Sequence, residues 1–88
     1  MVKVFFLISI FTSFSVFGDF NRAVEIYDSG DYEKAISSFE ALAEIGDDRS
    51  LFNLGVMTYL GHGTQKNKAK AYVLVKISNE NKFDEQNA

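Results

Sequence analysis

From position 19 onward, apolar residues recur at three- and four-residue spacing, and glycines interrupt the pattern at intervals. The first run has apolar positions at i, i+3, i+4 and i+7, which form one face of an α-helix. Its members are Phe20, Ala23, Val24 and Tyr27. No stretch shows the period-two alternation of a half-buried strand. The sequence therefore predicts an all-α fold.

Glycine and aspartate mark the predicted helix ends. Gly30 and Gly46 follow apolar runs and supply C-terminal stops. Asp31 is placed to cap the second helix through its side-chain oxygen, and an acidic pair at 47–48 opens the third helix. The spacing predicts a fourth helix from about Lys66 to Asn79, after which residues 83–88 begin a fifth.

Two similar halves follow from these boundaries. Lys34-Ala35 recurs as Lys70-Ala71, 36 positions later, and Tyr27 and Tyr59 lie 32 positions apart. The chain after position 18 thus reads as two antiparallel helical hairpins of about 35 residues each. We call them unit one, about residues 20–46, and unit two, about residues 48–82.

The first eighteen residues differ from the rest. Lys3 gives a positive start, Val4–Phe17 is an uncharged apolar run, and Gly18 provides a small residue before a cut. This pattern predicts a secretory signal peptide at residues 1–18, since the run is short for a membrane span of about 20 residues. The alternative is an uncleaved N-terminal anchor, which would place the protein at a membrane.

The charges are segregated along the chain. The net charge is −3, with nine acids and two bases in residues 19–48 but six bases and one acid in residues 49–82. A mildly acidic balance argues against a general nucleic-acid partner. The asymmetry can instead direct docking, including stacking of like molecules.

Several small residues fall in fixed registers. Unit two carries Leu54-Gly55, then Gly61-His62-Gly63, then Lys70-Ala71. Unit one carries Gly30-Asp31-Tyr32, Ala35 and Phe39, followed by Leu42, Ala43 and Gly46. Together these residues resemble the Sel-like repeat, a member of the tetratricopeptide-like superfamily. The resemblance implies that the two hairpins stack as a short α-solenoid over residues 19–88, preceded by a signal-peptide helix.

The resemblance also separates structural from exposed positions. Small residues let paired helices approach closely, and glycine adopts positive φ at tight turns. The residues expected to be structural are Gly30, Tyr32, Ala35, Ala43, Gly46, Leu54, Gly55, Gly61, Gly63 and Ala71. Unit two departs from the family pattern at Asn67, Tyr59, Ser78, Asn79 and Lys82. It therefore reads as a degenerate terminal repeat.

The residue types needed for chemistry are scarce. The chain has no cysteine and a single histidine, His62, with no acid or hydroxyl at a defined spacing to it. The glycines around His62 lack the spacing of a phosphate-binding loop. We therefore expect a solvated histidine, no catalytic residue, no metal and no cofactor. We also expect Lys66 and Lys70 to share one solvated helix face.

The resemblance implies an adaptor that binds another protein or peptide on the concave face of stacked helices. We predict contact residues on the first helix of each hairpin, namely Arg22, Glu25, Asn53 and Met57. The repeat type on a short exported chain further implies a bacterial protein that is periplasmic or secreted. The alternatives are a membrane-tethered accessory protein and, ranked below it, a small periplasmic enzyme.

One apolar side of unit two is expected to lack a covering helix. We therefore predict that the chain associates with itself or with a larger repeat protein through that end, with acids facing lysines. A single core in a chain of this size supplies only about 3–5 kcal/mol, so such a contact would add needed stability. A truncated member of a longer repeat array remains the other interpretation.

Overall fold

The computed structural model describes the backbone of residues 16–87 and the side chains of residues 18–81. Over this range the chain forms four α-helices and no strand, which confirms the all-α prediction. The helices are α1 (Val16–Asp28), α2 (Tyr32–Glu44), α3 (Asp48–Leu60) and α4 (Lys68–Asn87). The predicted signal peptide lies outside the described residues except for positions 16–18, which begin α1.

The predicted helix ends are confirmed by the backbone. Gly30 and Gly46 both have φ of +93°, the left-handed region that glycine adopts at little steric cost. The Asp31 carboxylate accepts a hydrogen bond from the Lys34 backbone N–H at 3.3 Å and caps α2. Asp47 caps α3 in the same way by accepting from the Arg49 N–H at 3.1 Å.

The fourth helix differs from the prediction at both ends. It begins at Lys68 because the Asn67 side chain caps it, accepting from the Lys70 N–H at 3.0 Å. It continues to Asn87 without the break that would separate a fifth helix, since neither glycine nor proline follows Asn79. None of the helices formed by residues 16–87 is both long enough and apolar enough to cross a membrane.

The helices α1 and α2 pack as an antiparallel pair. Near the start of α1, the ring of Phe20 lies 6.0 Å from the ring of Phe39 in the second half of α2. At the other end, Tyr27 lies 5.1 Å from Tyr32 in the first turn of α2. The tight turn at residues 29–31 thus folds the chain back on itself.

The helices α3 and α4 form a second antiparallel pair. The Ser78 hydroxyl donates to the Asp48 carbonyl at 2.9 Å, which joins α4 to the start of α3. The Asn67 N–H donates to the Thr58 carbonyl at 3.0 Å, which holds the connecting segment against the end of α3. Gly55 and Ala71 are buried at the crossing, so small residues set the distance between the two helices.

The second pair packs on the first around one core. The core consists of Ala23, Ala35, Phe39, Leu42, Leu54 and Met57. The Arg49 guanidinium near the start of α3 lies 4.1 Å from the centre of the Phe20 ring near the start of α1. The turn after α3 likewise contacts the end of α1 through Tyr27. These contacts show that α1 and α3 run in the same direction.

Candidate functional site

The turn after α3 docks on the first turn of α2. Gly61 ends α3 with φ of +75°, and its N–H donates to the Met57 carbonyl. Gly63 follows with φ of +77°, and a Cβ there would lie 2.5 Å from the Tyr32 carbonyl oxygen. The Gly-His-Gly turn is therefore shaped by its contact with unit one.

His62 is held between two tyrosines of unit one, contrary to the expectation of a solvated loop histidine. Its ring stacks on Tyr32 with a centroid distance of 4.3 Å and an interplanar angle of 3°. Its Nδ1 is hydrogen-bonded to the Tyr27 hydroxyl at 2.8 Å. These partners were not predicted from the sequence because they lie 30 and 35 positions earlier in the chain. The cluster joins the two units and leaves Nδ1 already engaged.

Replacing Tyr27 with phenylalanine is expected to lower the free energy of unfolding by about 1 kcal/mol. The change removes the hydroxyl from Nδ1 of His62 in a half-buried position while keeping the ring. Urea unfolding followed by circular dichroism measures the loss. Tyr72→Phe is the matched control, because Tyr72 is 68% exposed. In a His62→Ala background, Tyr27→Phe should have almost no further effect, and an undiminished effect would contradict the contact.

The described residues offer few chemical groups besides this cluster. No group of three or more histidine, aspartate or glutamate side chains among them lies close enough to hold a metal ion. The Arg49 guanidinium donates to both carboxylate oxygens of Asp47, at 3.1 and 3.0 Å. These hydrogen bonds raise the pKa of Arg49 and fix the guanidinium over Phe20. The pair thus helps to fasten α3 to α1.

One of the four predicted contact residues is buried in the core. Arg22 and Glu25 are exposed on α1, and Asn53 is half-buried on α3. Met57 is only 1% exposed and belongs to the core, so its prediction as a contact residue is wrong. The reason is that α3 packs on unit one as well as on α4, which buries more than one face of this helix.

The described lysines of unit two are exposed but are distributed differently from the prediction; they are Lys66, Lys68, Lys70 and Lys76. Lys66 precedes α4, so it does not share a helix face with Lys70. The Lys68 ammonium lies 5.8 Å from the centre of the Tyr59 ring, within cation–π distance. This contact places a positive charge beside exposed apolar side chains.

An apolar surface groove lies between α3 and α4. It encloses about 440 Å³ and is lined almost entirely by apolar atoms and aromatic rings. Its lining residues are Gly55, Val56, Tyr59, Leu60, Lys68, Ala71, Tyr72 and Val75. We call this surface the α3–α4 groove. Tyr59 is 50% exposed and Tyr72 is 68% exposed, so large rings stand at its sides. The apolar side of unit two that was expected to lack a cover is indeed exposed.

The corresponding surface of unit one is covered. Phe20, Val24 and Tyr27 on α1 precede Phe52, Val56 and Tyr59 on α3 by 32 positions. The first three are half-buried, and two of them contact unit two through Arg49 and His62. The later three are exposed at 44%, 36% and 50%. Unit two packs on this face of unit one, but the corresponding face of unit two is exposed.

The residues predicted to be structural occupy turns, helix crossings and the core. Gly30, Gly46, Gly61 and Gly63 all have positive φ in turns. Ala35, Leu54, Gly55 and Ala71 are buried, whereas Tyr32 and Ala43 are half-buried and pack against the core. The uncovered apolar side of unit two was predicted, but the residues that line the α3–α4 groove were not predicted as contact residues, although Val56 and Tyr59 repeat the spacing of Val24 and Tyr27.

The chain was also compared with known proteins. No protein-family model, curated protein or solved structure matches it.

Proposed function

We propose that this chain is a non-catalytic, exported interaction module of the Sel-like repeat type that binds another protein through the α3–α4 groove. The observation that carries the proposal is the exposed apolar face of unit two, whose counterpart in unit one is covered by a neighbouring helix. Exposed aromatic and aliphatic side chains around a groove are typical of protein-binding sites. The register of small residues that resembles Sel-like repeats supports the same function.

The short α-solenoid is part of this proposal. The direction of α1 and α3 and the antiparallel pairing within each unit support a repeated arrangement of hairpins. In such an arrangement the exposed face of the last hairpin is where a further helix would pack. A partner that supplies a helix would therefore cover Val56, Tyr59 and Tyr72 together.

The non-catalytic part of the proposal is supported by the surroundings of His62. Its ring face is stacked on Tyr32 and its Nδ1 is engaged by Tyr27. General acid–base catalysis needs a group within hydrogen-bond reach of a substrate, beside further polar groups that hold that substrate. The cluster instead links the two units, so its chemistry serves packing.

Co-purification from the source cells tests the proposed function. The full-length gene is expressed with a C-terminal tag, and proteins recovered with the wild type are compared with those recovered with Tyr72→Glu. Ile77→Glu is the matched control, since Ile77 is also an exposed apolar residue of α4 but does not line the groove. We expect recovery of the partner to fall about tenfold with Tyr72→Glu only, because the partner would have to bury a carboxylate against the apolar side of the groove.

Equal recovery with both variants would contradict a binding role for the groove. Circular dichroism of each variant checks that the helices persist. Intact mass of the purified product also tests the localisation, because export with cleavage predicts a product that begins at Asp19. A full-length product in the membrane fraction would favour the tethered alternative.

A further inference from the structure

We infer that the α3–α4 groove accepts the first hairpin of a second copy of this chain, so that copies stack head to tail. This inference rests on the proposed function, because it names the partner of the same surface. Its starting point is that the chain already contains one such contact, the packing of unit two on unit one.

The internal contact gives the geometry of the expected one. In the chain, α3 packs on unit one, and the turn that follows α3 contacts Tyr27 through His62. If α1 of a second copy packs on unit two as α3 packs on unit one, then α1 of the second copy lies in the α3–α4 groove. The turn at residues 29–31 of the second copy then lies beside Tyr59, the residue 32 positions after Tyr27.

The outer face of unit one has apolar residues for this contact. A second surface groove, of about 400 Å³, lies between α1 and α2 on this face. Its lining includes Ile26 on α1 and Ser38, Ala41 and Ile45 from α2 and its C-terminal end. Ile45 is 65% exposed although it is a large aliphatic side chain, and Ala41 beside it is also exposed. Stacking would remove both from water.

Charge distinguishes head-to-tail stacking from the pairing of two identical grooves. Both bases of residues 19–48, Arg22 and Lys34, line the outer groove of unit one, so the acid that matters for this contact is the one at the end of α1. The placement above brings the exposed Asp28, at the end of α1 of the second copy, toward Lys68 at the edge of the groove. Groove-to-groove pairing would instead bring two Lys68 edges together. Opposite charges across an interface favour association and like charges oppose it.

Cross-linking between single-cysteine variants tests the arrangement. The chain has no cysteine, so each introduced thiol is unique. Protein made from the full-length gene carries either Ser38→Cys, on the outer face of unit one, or Tyr72→Cys, at the groove. The two are mixed and treated with a short bismaleimide. Within the chain, Ile36 of unit one and Leu74 of unit two line one common groove. Tyr72 lies 36 positions after Ile36, and Ser38 lies 36 positions before Leu74. Stacking one unit further therefore places Ser38 of one copy near Tyr72 of the other.

Head-to-tail stacking predicts that the mixture of Ser38→Cys and Tyr72→Cys forms far more cross-linked dimer than either variant alone. Dominant cross-linking of Tyr72→Cys with itself would overturn the inference in favour of groove-to-groove pairing. The absence of dimer at all concentrations, with light scattering of the wild type giving a monomer, would overturn self-association altogether.

Charge exchange provides the second measurement. Lys68→Glu is expected to reduce association about tenfold, and mixing it with Asp28→Lys should restore association because opposite charges again face each other. Association of the wild type should also weaken in 1 M salt, where the screening length falls to about 3 Å. Salt-insensitive association, or no rescue in the mixture, would overturn the charge argument.

These results separate the two proposals. If a different protein is lost from the Tyr72→Glu co-purification while purified copies neither cross-link nor associate, the groove binds proteins and only self-stacking is wrong. If Tyr72→Glu changes no protein contact of either kind, the proposed function fails together with the inference.

Discussion

Gly63→Ala is expected to lower the free energy of unfolding by about 3 kcal/mol, which is most of the stability that a core of this size supplies. Two effects add. The residue has φ of +77°, where an L side chain costs about 1–2 kcal/mol. The new Cβ would also lie 2.5 Å from the Tyr32 carbonyl oxygen and 2.6 Å from the carbonyl carbon, and a backbone cannot rotate away as a side chain can.

Gly30→Ala is the control that separates the two effects. Gly30 has φ of +93°, but a Cβ there meets no atom within 4 Å. Gly30→Ala should therefore lower the free energy of unfolding only by the cost of the left-handed backbone conformation, about 1–2 kcal/mol. Urea unfolding followed by far-ultraviolet circular dichroism measures both variants. Equal losses would mean that the turn around His62 does not rest on α2, and the packing of unit two on unit one would have to be revised.

The ends of the helices are the part of this fold that the sequence predicts well. A glycine after an apolar run, followed by aspartate, predicts a helix end and a helix start from local chemistry alone. Gly30 with Asp31 and Gly46 with Asp47 both behave in this way. The boundaries of α2 and α3 follow from such local signals, whereas the fifth helix expected after Asn79 does not form, because α4 continues to Asn87.

Contacts between the two units were harder to predict. Met57 lies three positions after Leu54 on α3, and only the packing of α3 on both α2 and α4 explains its burial. The partners of His62 were not predicted because Tyr27 and Tyr32 are distant in sequence. A single sequence shows which face of a helix is apolar, but which neighbour covers that face depends on the tertiary arrangement.

The α4 helix illustrates the same limit at a boundary. Its expected start at Lys66 rested on spacing, yet Asn67 donates its N–H to Thr58 and caps the helix one residue before Lys68. Asparagine is a good capping residue, so the signal was available in the sequence. The hydrogen bond from Asn67 to Thr58 could not be predicted from the sequence, because it depends on how the connecting segment returns along α3.

Gly55→Ala should destabilise the protein even though alanine is the better helix former. In an open helix the change would stabilise by about 1 kcal/mol. Here the Cβ would lie 2.6 Å from Cγ2 of Val75 and 3.2 Å from the carbonyl oxygen of Ala71. Valine is stiff about its first side-chain torsion, so α3 and α4 must separate. We expect a net loss of about 1–2 kcal/mol in the free energy of unfolding.

A double-mutant cycle with Val75→Ala checks the cause. Removing Cγ2 relieves the closest contact, so the two substitutions together should be less destabilising than the sum of their separate effects, by about 1 kcal/mol or more. Additive effects in urea unfolding would mean that α3 and α4 do not approach at Gly55. A stabilising Gly55→Ala would contradict the close crossing outright. Since Gly55 and Val75 both line the α3–α4 groove, the same crossing sets the shape of the surface proposed to bind a second copy.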